Sequence, residues 1–335
     1  MSHVLPFGDA PQPRRLLLSL VTPAFNEAEN LPTLYRRIGA ALSGDEIDWE
    51  WIVVDDHSSD GTFASMTRLS ETDPRARCVR LARNTGSHAA IMCGLAAARG
   101  AAAVVIAADG QDPPEILPAL LAEWRAGAQV VWAARESARS ETPWTSHLYY
   151  RIMRRIAGLS QLAPEGADCV LLDRAVIDAV REFREHHVSL LALITWMGFR
   201  QVSVPCPREP RVRGRSGWTR ARRMELFVDS ITGFTYVPIR VMSYLGVATA
   251  AAGFAYAAVV IANAFNGQPP TGWSSLMVVV LLIGGIQMLM LGVLGEYVWR
   301  ALDESRRRPR YLIEATTDRI AGAGAADRAF GGGGR

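Results

Sequence analysis

Two stretches near the C-terminal end carry no charged side chain: 241–265 and 273–295. Each is longer than the roughly 20 apolar residues that cross the hydrocarbon core of a bilayer. The alternative is a helical hairpin buried in a soluble protein, which two consecutive charge-free runs of this length disfavour. The connection 266–272 (NGQPPTG) is short, so the runs pair as a helical hairpin. Arg220, Arg222, Arg223 and Arg240 precede the first run; Arg300, Arg306, Arg307, Arg308 and Arg310 follow the second; the loop between has no positive charge. Cytoplasmic flanks collect Arg and Lys. The expectation is a multi-pass protein of the inner (plasma) membrane, with the preceding domain and both termini cytoplasmic.

The remaining composition narrows the function. Hydrophobic residues make up 49% of the chain, high for a soluble enzyme, and the excess lies in those two runs. A net charge of +3 over 335 residues lacks the basic field of a general nucleic-acid binder, so no nucleic-acid partner is expected. The chain contains no Lys, so any phosphate held by a basic side chain is held by Arg or His. Arg suits that work, because its planar fork binds two oxygens at once. Cys78, Cys93, Cys169 and Cys206 are scattered without CxxC spacing, which argues against a disulfide framework or zinc site and for a reducing compartment. Residues 1–14 are Pro-rich and polar, without the charged-then-apolar order of a signal peptide.

Between these ends, short apolar runs alternate with amphipathic stretches. Strands are expected near 16–21, 51–54, 78–81, 104–107 and 130–133, and helices near 31–42, 61–69, 89–99 and 116–126, with Asn30 and Pro32 as a cap region for the first helix. Such alternation predicts an α/β domain, a mostly parallel sheet with helices on both faces. Ligands of such sheets bind beyond the carboxyl ends of the strands, where the polar clusters fall. Residues 135–223 read as the second half of the same domain. The expected organisation is a disordered lead-in (1–15), a catalytic domain (16–215), a juxtamembrane amphipathic segment (216–240), two transmembrane helices (241–300) and a cytoplasmic tail (301–335).

Three clusters could carry chemistry. Pro23-Ala24-Phe25-Asn26-Glu27 follows the first strand; alone, its Asn-Glu is an ordinary helix cap. In Val54-Asp55-Asp56-His57-Ser58-Ser59-Asp60-Gly61-Thr62, adjacent carboxylates stand at a strand end, where both cannot be buried cheaply. One can bond a nucleobase or ribose hydroxyl while the other caps the next turn. In Ala107-Ala108-Asp109-Gly110-Gln111-Asp112-Pro113-Pro114-Glu115, a carboxylate just past a central strand can hold a divalent cation between two phosphates, with Gln111 adding a neutral oxygen. Asp112-Pro113-Pro114-Glu115 is equally an adequate helix entry.

The order of the clusters resembles glycosyltransferase family 2, whose members carry V-x-P-x-[YF]-N-E, V-D-D-x-S-x-D-G-T, R-N-x-G and D-A-D-L-Q-D-P-P-E. These correspond to 21–27, 54–62, Arg83-Asn84-Thr85-Gly86 and 107–115. With the paired spans and the Gly295-Glu296-Tyr297 ending, the chain is most similar to the polyprenyl-phosphate branch of that family, from about residue 16 to 313. The resemblance implies a GT-A nucleotide-binding fold followed by a C-terminal transmembrane hairpin. It implies a nucleotide-sugar donor, with UDP-glucose or a related UDP-sugar favoured, and a polyprenyl-phosphate acceptor at the bilayer. It implies inverting transfer and a divalent cation, Mg2+ or Mn2+; a homo-oligomer is left open.

Residue by residue, the resemblance assigns Pro23, Phe25, Glu27 and Asp55 to the nucleotide, with the neighbouring Asp56 a further binding candidate, and Asp109 and Gln111 to metal and diphosphate. It assigns Asp168 to the acceptor side of the reaction and Arg208 and Arg211, in an R-x-x-R-x-x-G-x-S element with Gly214 and Ser216, to phosphate. Three positions depart from the family pattern. Ala107 replaces the first Asp of D-A-D, Cys169 and Val170 replace Phe and Arg after Asp168, and Gly217 replaces a frequent Lys. The rival readings are a processive polysaccharide synthase, which would carry a Q-x-x-R-W element and more spans, and a non-catalytic membrane scaffold or donor-sensing protein with a decayed metal site.

Overall fold

The structure is a computed structural model and describes residues 16–44, 47–135, 169–183, 189–207, 237–265 and 272–317. In chain order come β1 (Leu17–Ala24), α1 (Leu31–Ala41), β2 (Asp48–Asp55), α2 (Thr62–Thr72), β3 (Ala76–Leu81), α3 (Ser87–Ala97) and β4 (Ala102–Val105). A 3-10 turn (Pro114–Ile116), α4 (Leu117–Arg125), β5 (Val130–Arg135), β6 (Val170–Asp173), α5 (Arg174–Glu182), α6 (Leu190–Trp196) and β7 (Gln201–Cys206) follow. Two long helices, α7 (Val237–Phe265) and α8 (Trp273–Ser305), precede a last short strand, β8 (Ile313–Thr316).

The strands form one sheet in the order β7-β5-β6-β4-β1-β2-β3-β8. The pairs β1–β2, β1–β4, β2–β3 and β5–β7 are parallel, while β6 and β8 run antiparallel to their neighbours. This is the mostly parallel sheet expected from the alternation of elements. Parallel strands covered on both faces read as nearly continuous apolar runs, and β4 (AAVV) is buried throughout. One face packs on α1, α2 and α4 through Leu34, Ile38, Met66, Leu117 and Leu121. The other packs on α3, α5 and α6 through Leu95, Val176, Ile177 and Ile194.

Two glycines allow close approach. A Cβ on Gly94 of α3 would lie 2.3 Å from the Val21 side chain, so this helix of small residues sits against β1. A Cβ on Gly100 would meet the backbone of Leu17, Ser19 and Ala102 within 2.7 Å, which restricts the α3–β4 turn to glycine.

Some expectations change. β1 runs on through Pro23, because its pairing with β4 ends at Val21 and the missing N–H falls where that neighbour has left. β2 starts three residues earlier than expected and α2 ends three residues later. Asn30 stands at the start of α1 but makes no side-chain capping bond; its amide donates to the Glu27 carboxylate instead.

Helices α7 and α8 contain two candidate membrane spans, Ile239–Asn263 and Leu276–Ser305, with mean hydropathies of 2.0 and 2.5 and their most apolar stretches left unburied by the rest of the protein. The multi-pass expectation therefore narrows to two spans among the described residues. Phe254 and Phe265 are 78% and 89% exposed. Leaving one large apolar side chain in water rather than burying it costs roughly 1.5–3 kcal/mol, so a bilayer is the environment that suits this surface. Gly246 brings the two helices together against Met290.

After α8 the chain returns to the sheet. β8 pairs with β3 through Val79↔Thr316, Arg80↔Ala315 and Leu81↔Ile313. It enters beside Leu81, at the carboxyl end of β3. The segment expected to be part of the tail (301–335) thus supplies an edge strand of the sheet.

Candidate active site

The site lies at the carboxyl ends of the central strands. Strand order reverses between β1 and β4, since β2 and β3 extend to one side and β4 to the other. The loops after β1 and β4 therefore diverge and leave a crevice. A cavity of about 240 Å³ opens there, lined by Glu29, Asn30, Thr33, Leu34, Arg37, Ala108 and Gly110. A larger depression of about 710 Å³, lined among others by Leu17, Asp48, Trp49 and Arg99, lies at the opposite end of the strands, away from the motif residues.

The first two motif loops are laced together. The Asn26 Oδ1 accepts from the Ser59 N–H at 2.9 Å, the Ser59 hydroxyl at 3.2 Å and the Asp60 N–H at 3.3 Å. In return, the Asn26 N–H donates to the Ser58 hydroxyl, the Glu27 N–H to Thr62 Oγ1 and the Ala28 N–H to Asp60 Oδ2. Asn26 does this from a left-handed backbone, φ 58°, a conformation that Asn tolerates better than most residues. Phe25 beside it is 48% exposed at the rim, and Pro23 and Glu27 are half-buried.

The paired carboxylates divide their work. Asp55 is fully buried. Its Oδ1 accepts the Ser58 N–H at 2.8 Å, and its Oδ2 takes Arg80 Nη1 at 3.0 Å. Asp56 reaches the third motif instead: Oδ1 accepts the N–H and hydroxyl of Thr85 at 2.7 and 3.0 Å, and Oδ2 the Gly86 N–H at 2.8 Å. The expected turn cap is thus Asp55 within its own loop, while Asp60 accepts from the Thr62 N–H at the start of α2. A carboxylate offers about four acceptor positions, so Asp55 retains capacity for a ligand donor.

The fourth motif closes the far side. Asp109 and Asp112 are buried, and Asp109 Oδ1 accepts the Gln111 N–H at 3.1 Å across a turn whose Gly110 has φ 71°. Arg37 of α1 grips Glu115 with two bonds, of 3.0 and 2.7 Å, and this holds the Glu115 carboxyl below its ordinary pKa. The pair ties the β4 loop to α1 across the cavity.

Among the described residues, no three His, Cys, Asp or Glu side chains cluster to hold a metal ion. The donor set at Asp109 and Gln111 is all oxygen, with one carboxylate. It fits a cation such as Mg2+, which is bound by one or two carboxylates plus substrate phosphates rather than by an all-protein cage.

Of the residues expected at the site, Pro23, Phe25, Glu27, Asp55, Asp56, Asp109 and Gln111 are brought to one end of the sheet. Asp168, Arg208 and Arg211 lie outside the described residues. The described chain resumes at Cys169, and Val170 after it pairs with Val105 at the site end of β4. Sequence reasoning missed Arg80, Glu314, Arg37 and the lacing role of Asn26. Arg80 had a signal: a charge between buried Val79 and Leu81 in a strand needs a partner.

The family pattern described as Glycosyl transferase family 2 matches residues 19–181, and that described as GtrB C-terminal hairpin matches 237–300. An uncharacterized glycosyltransferase of Synechocystis is 35% identical over 88% of this chain and 94% of its own length. The bactoprenol glucosyl transferase of Shigella phage SfV is 32% identical over 89% of this chain and 98% of its own. The undecaprenyl-phosphate 4-deoxy-4-formamido-L-arabinose transferase of Klebsiella pneumoniae is also 32% identical, over 89% and 92%. Glucosyl-3-phosphoglycerate synthase from Mycobacterium tuberculosis, solved with Mn2+ and UDP-glucose, is a distant likeness, with 20% identity and a TM-score of 0.44 over 59% of this chain and 72% of that one. With its motif loops gathered at one end of a GT-A sheet, and with near full-length relatives above 30% identity, this chain belongs to glycosyltransferase family 2 and is a glycosyltransferase.

Proposed function

We propose that the protein transfers a sugar from a nucleotide-sugar to a polyprenyl phosphate at the cytoplasmic face of the membrane. The observation that carries this reading is the return of the chain from α8 to the site end of the sheet. The connection 306–312 between α8 and β8 spans at most roughly 25 Å even when extended. The end of α8 is therefore tethered within that reach of the carboxyl edge of the sheet at β3, and a lipid phosphate held there can meet a soluble donor. Relatives named for bactoprenol and undecaprenyl phosphate support the acceptor class.

The donor is a UDP-sugar, with UDP-glucose the first choice. Pro23, Phe25, Glu27 and Asp55 form the nucleotide side, and Asp56 shapes it by holding Thr85 and Gly86. Asp109 and Gln111 would hold the divalent cation, which when bound would supply charge to offset the departing diphosphate. Asp168 orients the acceptor, and Arg208 and Arg211 grip its phosphate with paired donors. An oxygen of the lipid phosphate attacks the anomeric carbon as the bond from that carbon to the diphosphate oxygen breaks, and the electron pair leaves with the nucleoside diphosphate. A phosphate monoester is already anionic, so positioning and leaving-group stabilisation carry the rate. A single displacement inverts the donor configuration, giving a β-linked lipid-phosphate sugar from an α-linked donor.

The test is to incubate the purified full-length protein with polyprenyl phosphate and a panel of UDP- and GDP-sugars, then read product masses. One donor should give a lipid-phosphate sugar, lost with EDTA and reduced at least about a hundredfold in Asp109→Asn. In the same assay, Arg208→Lys and Arg211→Lys should raise the acceptor KM, because Lys keeps the charge but not the fork. Nucleotide binding without product from any donor would favour the donor-sensing reading, to which Ala107 lends its weight.

A further inference from the structure

The strand that follows the membrane hairpin reaches into the donor site. Arg80 on β3 makes three directed contacts: Nη1 to Asp55 Oδ2 at 3.0 Å, Nη2 to the Ser58 carbonyl at 3.1 Å and Nε to Glu314 Oε2 at 3.0 Å. Its guanidinium carbon also lies 5.6 Å from the Phe63 ring centre. One guanidinium thus joins the buried carboxylate at the end of β2, the turn that follows it, and a residue past the second membrane helix.

Glu314 reaches Arg80 through an irregularity in the strand pairing. Arg80 pairs with Ala315, yet Leu81 pairs with Ile313, so Glu314 is the extra residue of a bulge. Directly opposed residues share a face and successive residues alternate. A regular ladder would therefore send Glu314 to the face away from Arg80. A bulge re-aims a side chain and is frequent at sheet edges beside active sites. Nδ1 of His57, in the loop after Asp55, lies 3.3 Å from Glu314 Oε2 and 3.1 Å from the Leu81 carbonyl. Both neighbours are acceptors, so Nδ1 carries the hydrogen. Glu314 therefore meets the β2 loop both through Arg80 and through His57.

We infer that Glu314 is a positioning residue for the donor nucleotide. Through Arg80 it orients the Asp55 carboxylate, so that docking of the strand beyond the membrane hairpin completes the nucleotide pocket. The inference rests on the proposed function in one respect, the assignment of Asp55 to the nucleotide. Glu314 acts here through Arg80, which it bonds, rather than on the nucleotide directly. Arg80 is held by one carboxylate on each side and by the Ser58 carbonyl, and this fixes the Asp55 carboxylate that it bonds. With Glu314 neutralised, the guanidinium loses one of its two charged anchors and can shift, and Asp55 with it.

The experiment uses the full-length protein in detergent, with UDP and GDP as probes in calorimetric titrations of wild type and Glu314→Gln. The pair is partly exposed, so the expected change is moderate: UDP binds about three- to tenfold more weakly. The melting temperature stays at the wild-type value, donor KM rises by a similar factor, and acceptor KM and kcat hold. Wild-type nucleotide affinity in Glu314→Gln would overturn the inference while leaving the proposed function standing. So would a loss of affinity that only follows a lower melting temperature, because that is a folding defect. Binding of neither nucleotide to wild type would remove the proposed function, and this inference with it.

Discussion

At the scale of single residues, the motif carboxylates act as much on the loops as on any ligand. Asp56 is 4% exposed and satisfies three donors from Thr85 and Gly86. Replacing it by Asn puts an NH2 group opposite at least one of those donors and removes the charge that strengthens the rest. Asp56→Asn should therefore cost about 1–3 kcal/mol, the penalty for a buried donor left unmet. Thermal unfolding in detergent reads this, and an unchanged melting temperature would refute the role. The adjacent Asp55 faces other partners, the Ser58 N–H and Arg80, rather than this loop. That two neighbouring aspartates matter was legible in the sequence. Which loop each one holds was not, because Thr85 is 29 residues from Asp56 and Arg80 is 25 from Asp55.

At the scale of elements, α3 shows how packing replaces pattern. Its residues are small and mostly apolar all round, and it buries Ala90, Cys93, Gly94 and Leu95 against the sheet. His88 in its first turn accepts the Leu190 N–H at 3.2 Å through Nδ1, which ties α6 to α3. Burial, and then the charge of Arg310, pull the His88 pKa below its ordinary value of 6.5. The unfolded chain takes up the proton first as pH falls. The stability this histidine contributes is therefore complete above about pH 6.5 and is lost as pH falls toward and through the lower folded pKa. His88→Gln keeps an acceptor without the titration. Between about pH 7.5 and 5.5 its melting temperature should fall less than that of wild type; parallel curves would exclude His88 as the cause. The five strands expected before residue 135 and the four helices between them were legible from apolar runs and helical spacing. β8 was not, because four residues, IEAT, with mostly exposed side chains carry no periodicity.

At the scale of the whole molecule, β8 bears on how the chain sits in the membrane. The sheet holds β1 to β7, which precede the hairpin, and β8, which follows it. Strands bonded in one sheet lie on one side of a bilayer, so two intervening spans must cross and return. We propose, from the distribution of Arg and the positive-inside rule, that this side is the cytoplasm. Tags at either terminus should therefore resist protease added to intact cells stripped of their outer layers and be cut after lysis. Cleavage of either tag from outside would overturn the topology.

The sequence by itself determined the catalytic family, the mostly parallel sheet and the membrane hairpin. These rest on local signals: motif order, short-range apolar periodicity and long charge-free runs. The site end of the sheet was legible too, since the motifs fall just after apolar strands. Only the tertiary structure decided that the buried Asp55 faces Arg80, that Asp56 braces the Arg83–Gly86 loop, that Arg37 clamps Glu115, and that Glu314, past the second long helix, reaches Arg80. Each of these joins residues from different elements, and the last spans 234 positions. Such pairs leave no trace in local spacing. They exist because a buried charge must find a partner and because the sheet order brings β8 beside β3.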